Sequence, residues 1–137
     1  MSTDQAARET ILIVDDERDI VLATRIFLEA EGYEVLEAFD GMEALEKLEQ
    51  ASPDLVMLDV VMPRLDGWST LARIQSDPIH QGTPVLMLTS LSTPRDVATG
   101  IDLGCTWYYE KPVTDYDDLA LVVRRILDTT SEDAGEG

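Results

Sequence analysis

Apolar residues in this chain gather into short unbroken runs, with amphipathic stretches between them. Residues 11–14 (Ile-Leu-Ile-Val), 55–58 (Leu-Val-Met-Leu) and 85–88 (Val-Leu-Met-Leu) are apolar throughout. Each run is too short for a helix and lacks the alternation of a strand with one wet face. Each therefore reads as a strand covered on both sides, as inside a parallel sheet. Residues 33–36 make a weaker, edge-like strand, and Trp107-Tyr108-Tyr109 a fifth. The intervening segments are helical. The first places Ile20, Thr24, Phe27 and Leu28 on one face and stops at Gly32. Residues 41–50 bury Ala44, Leu45 and Leu48, and Asp66-Gly67 opens a third helix carrying Leu71 and Ile74. Pro94 suits the first turn of a fourth, with Val97, Ala98 and Ile101 expected inward. Gly100, with Thr93 and Thr99 nearby, marks that helix as the least stable. From Asp115 a last helix buries Leu119, Val122, Val123 and Ile126. Residues 10–129 thus form one domain, between a flexible N-terminus (1–9) and a disordered acidic tail (130–137).

Such strict alternation predicts an α/β fold: a parallel sheet with right-handed crossovers and five helices divided between its two faces. For five strands the flavodoxin-like order 2-1-3-4-5 is the natural choice. It sets the carboxyl ends of strands one and three side by side, where open α/β sheets gather their chemistry. Asp15 and Asp16 end the first strand and Asp59 ends the third, so the three carboxylates share one pocket. Thr89 arrives from strand four and Lys111 from strand five.

Each residue taken singly has a plainer explanation. Asp15 and Asp16 precede a helix, where acids cap amides and complement the dipole. Thr89 is an ordinary strand-end residue, and Asp59 an ordinary turn former. The conjunction says more. Three clustered carboxylates repel one another unless a cation intervenes. Mg²⁺ suits them, since it takes one or two carboxylates, waters and a phosphate oxygen. With Lys111 balancing charge and the Thr89 hydroxyl donating, Asp59 is placed to accept a phosphoryl group. Lys111 is one of only two lysines, the other being Lys47.

Composition narrows the partners. The 137 residues hold 28 Asp+Glu against 10 Lys+Arg, a net charge of -18. Such a surface repels nucleic acid; it suits a high-salt cytoplasm, where self-repulsion is screened, and equally an ordinary acidic bacterial protein. A single cysteine, Cys105, precludes an internal disulfide and agrees with a reducing cytoplasm. No apolar run is long enough for membrane insertion.

Asp15-Asp16, Asp59, Met62-Pro63, Asp66-Gly67, Thr89, Gly104 and Lys111-Pro112 together resemble the receiver domain of two-component response regulators, over nearly the whole chain. The resemblance implies that Asp59 accepts a phosphoryl group from a histidine kinase or phosphotransfer protein. It implies Mg²⁺ held by Asp16 and Asp59, by Asp15 chiefly through water, and by the Val61 carbonyl. Thr89 and Lys111 would contact the phosphoryl oxygens, Tyr108 matches the family's switch aromatic, and Lys111-Pro112 matches a bond that is usually cis. A downstream protein would read the state from the face of helix four, strand five and helix five. Such a protein is no enzyme toward other substrates; it catalyses only its own phosphorylation and dephosphorylation. Val61 and Leu91, two residues beyond Asp59 and Thr89, stand where the family tunes hydrolysis. Neither side chain can orient a water, which implies a long-lived phosphate.

Some positions depart from the family pattern: Val113 follows the Lys-Pro pair, Trp107 is bulky, and Ser90 and Cys105 replace alanines. His80 carries no assigned role. A flavodoxin-like cofactor binder would need small residues after strand one, where Asp15-Asp16-Glu17 would repel a phosphate. An aspartyl phosphatase would need a second Asp at position 61. A non-phosphorylated interaction module usually lacks an acidic or lysine residue that this chain keeps. With no output domain in the sequence, a stand-alone regulator is expected, the alternatives being a phosphorelay shuttle or a receiver detached from a larger hybrid kinase or regulator. The charge makes one physical prediction: the melting temperature should rise from low to molar potassium chloride. A flat or falling trend would contradict screening as the dominant effect.

Overall fold

A computed structural model describes the backbone of residues 8–136 and the side chains of residues 8–130; the remainder of the flexible N-terminus and of the acidic tail expected from sequence lies outside the described residues. Five strands alternate with five helices: β1 (Thr10–Val14), α1 (Arg18–Ala30), β2 (Glu34–Ala38), α2 (Gly41–Ala51), β3 (Leu55–Leu58), α3 (Gly67–Ser76), β4 (Val85–Thr89), α4 (Pro94–Asp102), β5 (Trp107–Glu110) and α5 (Tyr116–Glu136). The strands pair in parallel in the order β2-β1-β3-β4-β5. α5 runs on through residues expected to form a loose tail.

The unbroken apolar runs follow from the pleat. Successive side chains point to opposite faces, so Ile11 and Ile13 join Leu55, Met57, Leu86 and Leu88 beneath α1 and α5. Leu12 and Val14 join Val56, Leu58, Val85 and Met87 beneath α2 and α3. Both sets need apolar residues, since helices cover both faces. β2 and β5 are the edges, and their burial is correspondingly uneven. β2 starts and ends later than the sequence suggests, because it pairs with the whole length of β1, Thr10 opposite Glu34 and Val14 opposite Ala38.

Helix ends are set locally. The Asp40 carboxylate accepts from Glu43 N and caps α2, and Asp66 accepts from Ser69 N and caps α3. Thr93 and Asp96 form a reciprocal capping box on α4, with Pro94 in its first turn. Gly32 ends α1 at φ 102°.

Two helix faces differ from the periodic reading. In α1 the fully buried residues are Val21, Thr24 and Leu28, with Ile20 and Phe27 half-buried. In α4 the inward residue is Gly100; Ala98 is exposed, Val97 half-buried and Ile101 61% exposed. The cause is Tyr108. Its ring lies so near α4 that a Cβ on Gly100 would stand 3.0 Å from the Tyr108 Cδ2. The glycine that weakens the helix by propensity is thus what lets it approach β5. The capping box likewise makes Thr93 a local stabiliser. Each fully buried large aliphatic side chain contributes about 1.5–3 kcal/mol. α5 has Leu119, Val123, Ile126 and Leu127 in the core and α4 has none, so α4 is well capped but lightly docked.

The start of α3 is held tightly. Gly67 N donates to Val60 O at 2.7 Å. A Cβ on Gly67 would overlap the Asp59 carbonyl oxygen and sit 2.7 Å from the Val60 Cα. Gly67→Ala should therefore lower stability in urea titration by about 1–3 kcal/mol, as overpacking does. An unchanged midpoint would show that the Asp59–Val60 backbone is free to shift.

Candidate functional site

Three side chains are aimed by continuing the sheet's hydrogen bonding just past its strands. Asp15 N donates to Ala38 O (3.1 Å), Asp59 N to Val14 O (3.0 Å) and Lys111 N to Thr89 O (2.9 Å). Asp15, Asp59 and Lys111 are thereby fixed at the carboxyl ends of β1, β3 and β5. The Lys111-Pro112 bond that follows is cis.

The Lys111 ammonium is the centre of the cluster. Its Nζ stands 2.6 Å from Asp15 Oδ2, 3.0 Å from Glu17 Oε1 and 3.2 Å from Asp59 Oδ2. Asp15 and Asp59 are buried, and Glu17 is exposed. The second oxygen of each buried acid is also engaged: Asp15 Oδ1 accepts from Glu17 N (2.9 Å) and Asp59 Oδ1 from Val60 N (2.7 Å). Burial pushes the Asp15 carboxyl above its usual range, with the Lys111 hydrogen bond pulling the other way. Burial alone would lower the Lys111 ammonium, but its bonds to Asp15 and Glu17 raise it above the ordinary lysine value.

Asp16 does not join this cluster. It is exposed, and the three carboxylates that converge are Asp15, Glu17 and Asp59. The bond from Glu17 N to Asp15 Oδ1 turns the chain so that Asp16 faces outward, while Lys111 draws Glu17 in. Glu17 was legible only as the third acid of a run. Val61 is exposed, and its carbonyl accepts no backbone hydrogen bond among the described residues. Thr89 is buried beside the cluster, its Oγ1 accepting from Leu91 N at 3.3 Å. Tyr108 is half-buried and donates its hydroxyl to Leu91 O. Its ring lies 6.5 Å from that of Trp68 at 29°, and burial pushes its phenol up to about 12.

The donor set fits a hard divalent cation. It is all oxygen, and three carboxylates face one ammonium, leaving two negative charges uncompensated (three minus one) if all three are ionised. Two unit charges 4 Å apart interact by about 4 kcal/mol at the effective dielectric near a protein surface, so the deficit is substantial.

A parallel sheet of this order, with acids at the ends of β1 and β3 and a lysine at the end of β5, defines a receiver. The response regulator receiver domain model matches residues 11–124, and the chain belongs to that family. Protein PilG of Pseudomonas aeruginosa is 32% identical over 124 residues, covering 90% of this chain and 92% of PilG. The alkaline phosphatase synthesis transcriptional regulatory protein PhoP of Bacillus subtilis is 42% identical over 102 residues, covering 74% of this chain and 42% of PhoP. The chain spans about half the length of the transcriptional regulators it matches. Among solved structures, a CheY-like response regulator receiver domain protein from Methanospirillum hungatei superposes with a TM-score of 0.86 at 29% identity, over 92% of this chain and 98% of that one. Receiver domains generally bind Mg²⁺ at an acidic pocket, and they interact with histidine kinases or phosphotransfer proteins. Among the described residues no helix is long and apolar enough to cross a membrane.

The raised Asp15 pKa has a defined sign. The folded state binds this proton more tightly than the unfolded chain, so ionising Asp15 costs stability as pH rises from 3.8 through the folded value. The Lys111 shift has the same sign in a far more alkaline window: its contribution is complete below 10.5 and lost only as pH climbs through the elevated folded value. Lys111→Met should move the Asp15 midpoint higher, as read by carboxyl ¹³C NMR titration. Equal midpoints in wild type and variant would detach Asp15 from the ammonium.

Proposed function

We propose that the chain is a phospho-acceptor signalling domain, taking a phosphoryl group on Asp59 from a phosphohistidine donor and changing partner affinity as a result. The observation that carries this reading is the Lys111 ammonium lying between the buried carboxylates of Asp15 and Asp59. Asp59 is the acceptor: an oxygen of its carboxylate forms the new O–P bond as the P–N bond to the donor imidazole breaks. Val60 N–H holds the orientation of that carboxylate. Lys111 is near enough to neutralise phosphoryl oxygens beside Asp59, and Thr89 stands at the end of the neighbouring strand as a hydroxyl donor. Asp59, the Val61 carbonyl and Asp16, by a turn of its exposed side chain, would hold Mg²⁺, with Asp15, whose oxygens serve Lys111 and Glu17 N–H, acting chiefly through water. The ion, when bound, would neutralise phosphoryl charge. The domain would act on no other substrate.

Readout would follow from Thr89. A new phosphoryl oxygen would accept from the Thr89 hydroxyl and draw it toward Asp59, stretching the bond that Thr89 Oγ1 accepts from Leu91 N, and the Leu91 carbonyl is the partner of Tyr108. Repositioning that loop would disturb Tyr108 and the lightly docked α4 together. The face of α4, β5 and α5 exposes Ile101, Trp107 and Leu121, which suits a protein partner, and the net charge of -18 disfavours direct contact with nucleic acid. The reading holds for a chain acting alone in the cytoplasm, as a relay shuttle, or as the receiver of a longer regulator. PilG and the transcriptional regulators among its relatives offer both lengths.

A small phosphodonor with Mg²⁺ should add one phosphoryl mass to the intact protein. Asp59→Asn or removal of Mg²⁺ should abolish the addition. Undiminished labelling of Asp59→Asn would overturn the assignment. Thr89→Ala should still be labelled yet lose the tyrosine and tryptophan spectral response to beryllofluoride; a full response would exclude this coupling route.

A further inference from the structure

An apolar groove of about 550 Å³ that shares no residue with the acidic cluster runs between α2 and α3, lined by Met42, Leu45, Leu48 and Ala72. Glu49, Asp77 and His80 line it as well. The groups they offer for ligation lie within 4.8 Å of one another. His80 is 5% exposed, and its Nε2 is buried without a hydrogen-bond partner among the described residues. A buried ring nitrogen without a partner is uncommon enough to require a physical reason.

We propose that Glu49, Asp77 and His80 form a binding site for a divalent transition-metal ion of the zinc class, separate from the Asp15–Asp59 pocket. The local chain is already shaped for it. Asp77 O accepts from His80 N (3.1 Å) and Gln81 N (2.8 Å), and Asp77 Oδ1 accepts from Ile79 N (2.9 Å). The turn is thus fixed with Asp77 and His80 on one side, and Asp77 Oδ2 remains available. Glu49 projects from the last turns of α2, exposed and without a hydrogen bond among the described residues, so its side chain can close on an ion by rotation. Ligands of a tetrahedral zinc ion stand roughly 3.3 Å apart, given bonds near 2.0–2.1 Å, so only a modest contraction is needed. Arg73 lines the same groove and makes no ion pair with either carboxylate.

One imidazole and two carboxylates make a mixed nitrogen and oxygen set, which suits zinc better than magnesium; the all-oxygen Asp15–Asp59 cluster has the reverse preference. Three protein ligands leave a fourth position for water. Loading the site would tie the end of α2 to the connection between α3 and β4.

The chain has a single histidine, so its imidazole resonances can be read without ambiguity. Zinc is titrated into the whole chain in excess Mg²⁺, with calorimetry and imidazole NMR as readouts. One equivalent should bind and shift the imidazole signals, in wild type and in Asp59→Asn alike. Glu49→Gln and Asp77→Asn should each weaken binding by at least about tenfold, since outer-shell changes alone cost roughly 10–100-fold. Asn at position 77 keeps an oxygen for Ile79 N–H, so folding is preserved there. Unmoved imidazole signals, wild-type affinity in either carboxylate variant, or loss of binding in Asp59→Asn would each overturn the site.

Discussion

The ammonium of Lys111 is the interaction on which the functional end of this molecule depends. It starts at the end of β5, passes the end of β4, and reaches carboxylates at the ends of β3 and β1. The order β2-β1-β3-β4-β5 brings those ends together. Without the ammonium, two buried carboxylates would face each other in a poorly solvated pocket, and one would hold its proton. With it, they remain short of positive charge. That shortage allows the pocket to accept a further cation.

Much of this was readable in the chain because the physics is local or repetitive. A strand covered on both faces must be apolar at every position, so β1, β3 and β4 stood out directly. Asp59 and Lys111 were legible because a strand end fixes the residue that follows it. What could not be read depends on contacts between elements. Whether Asp16 or Glu17 turns inward is decided by the bond from Glu17 N to Asp15 and by the pull of Lys111, neither of which leaves a pattern in the sequence. The face of α4 escapes the sequence for a similar reason: helical periodicity favours Ile101, but the shape of the Tyr108 ring favours Gly100. His80 reads as an ordinary loop residue in the sequence, since the groove it shares with α2 joins segments distant in the chain.

The acidic surface is built around a few arginines that bridge elements. Arg25 joins Glu29 to Glu37, Arg64 holds Asp40, and Arg124 links Glu9 to Asp128. Pairs this exposed contribute about 0–1 kcal/mol each. They position the strand and helix ends locally, but cannot offset a net charge of -18. That excess is left to ions in solution.

The light docking of α4 has a thermal consequence. Heat-capacity changes track the apolar surface exposed, and α4 has no fully buried large side chain to release. Lifting it from the sheet would therefore carry a small heat-capacity change. The balance between docked and displaced arrangements would follow a nearly straight van't Hoff line, and its enthalpy would hold almost constant across a wide range of growth temperatures. A helix packed like α5 would bend that line strongly. The glycine beneath Tyr108 thus bears on how steadily the domain is poised as its surroundings warm and cool.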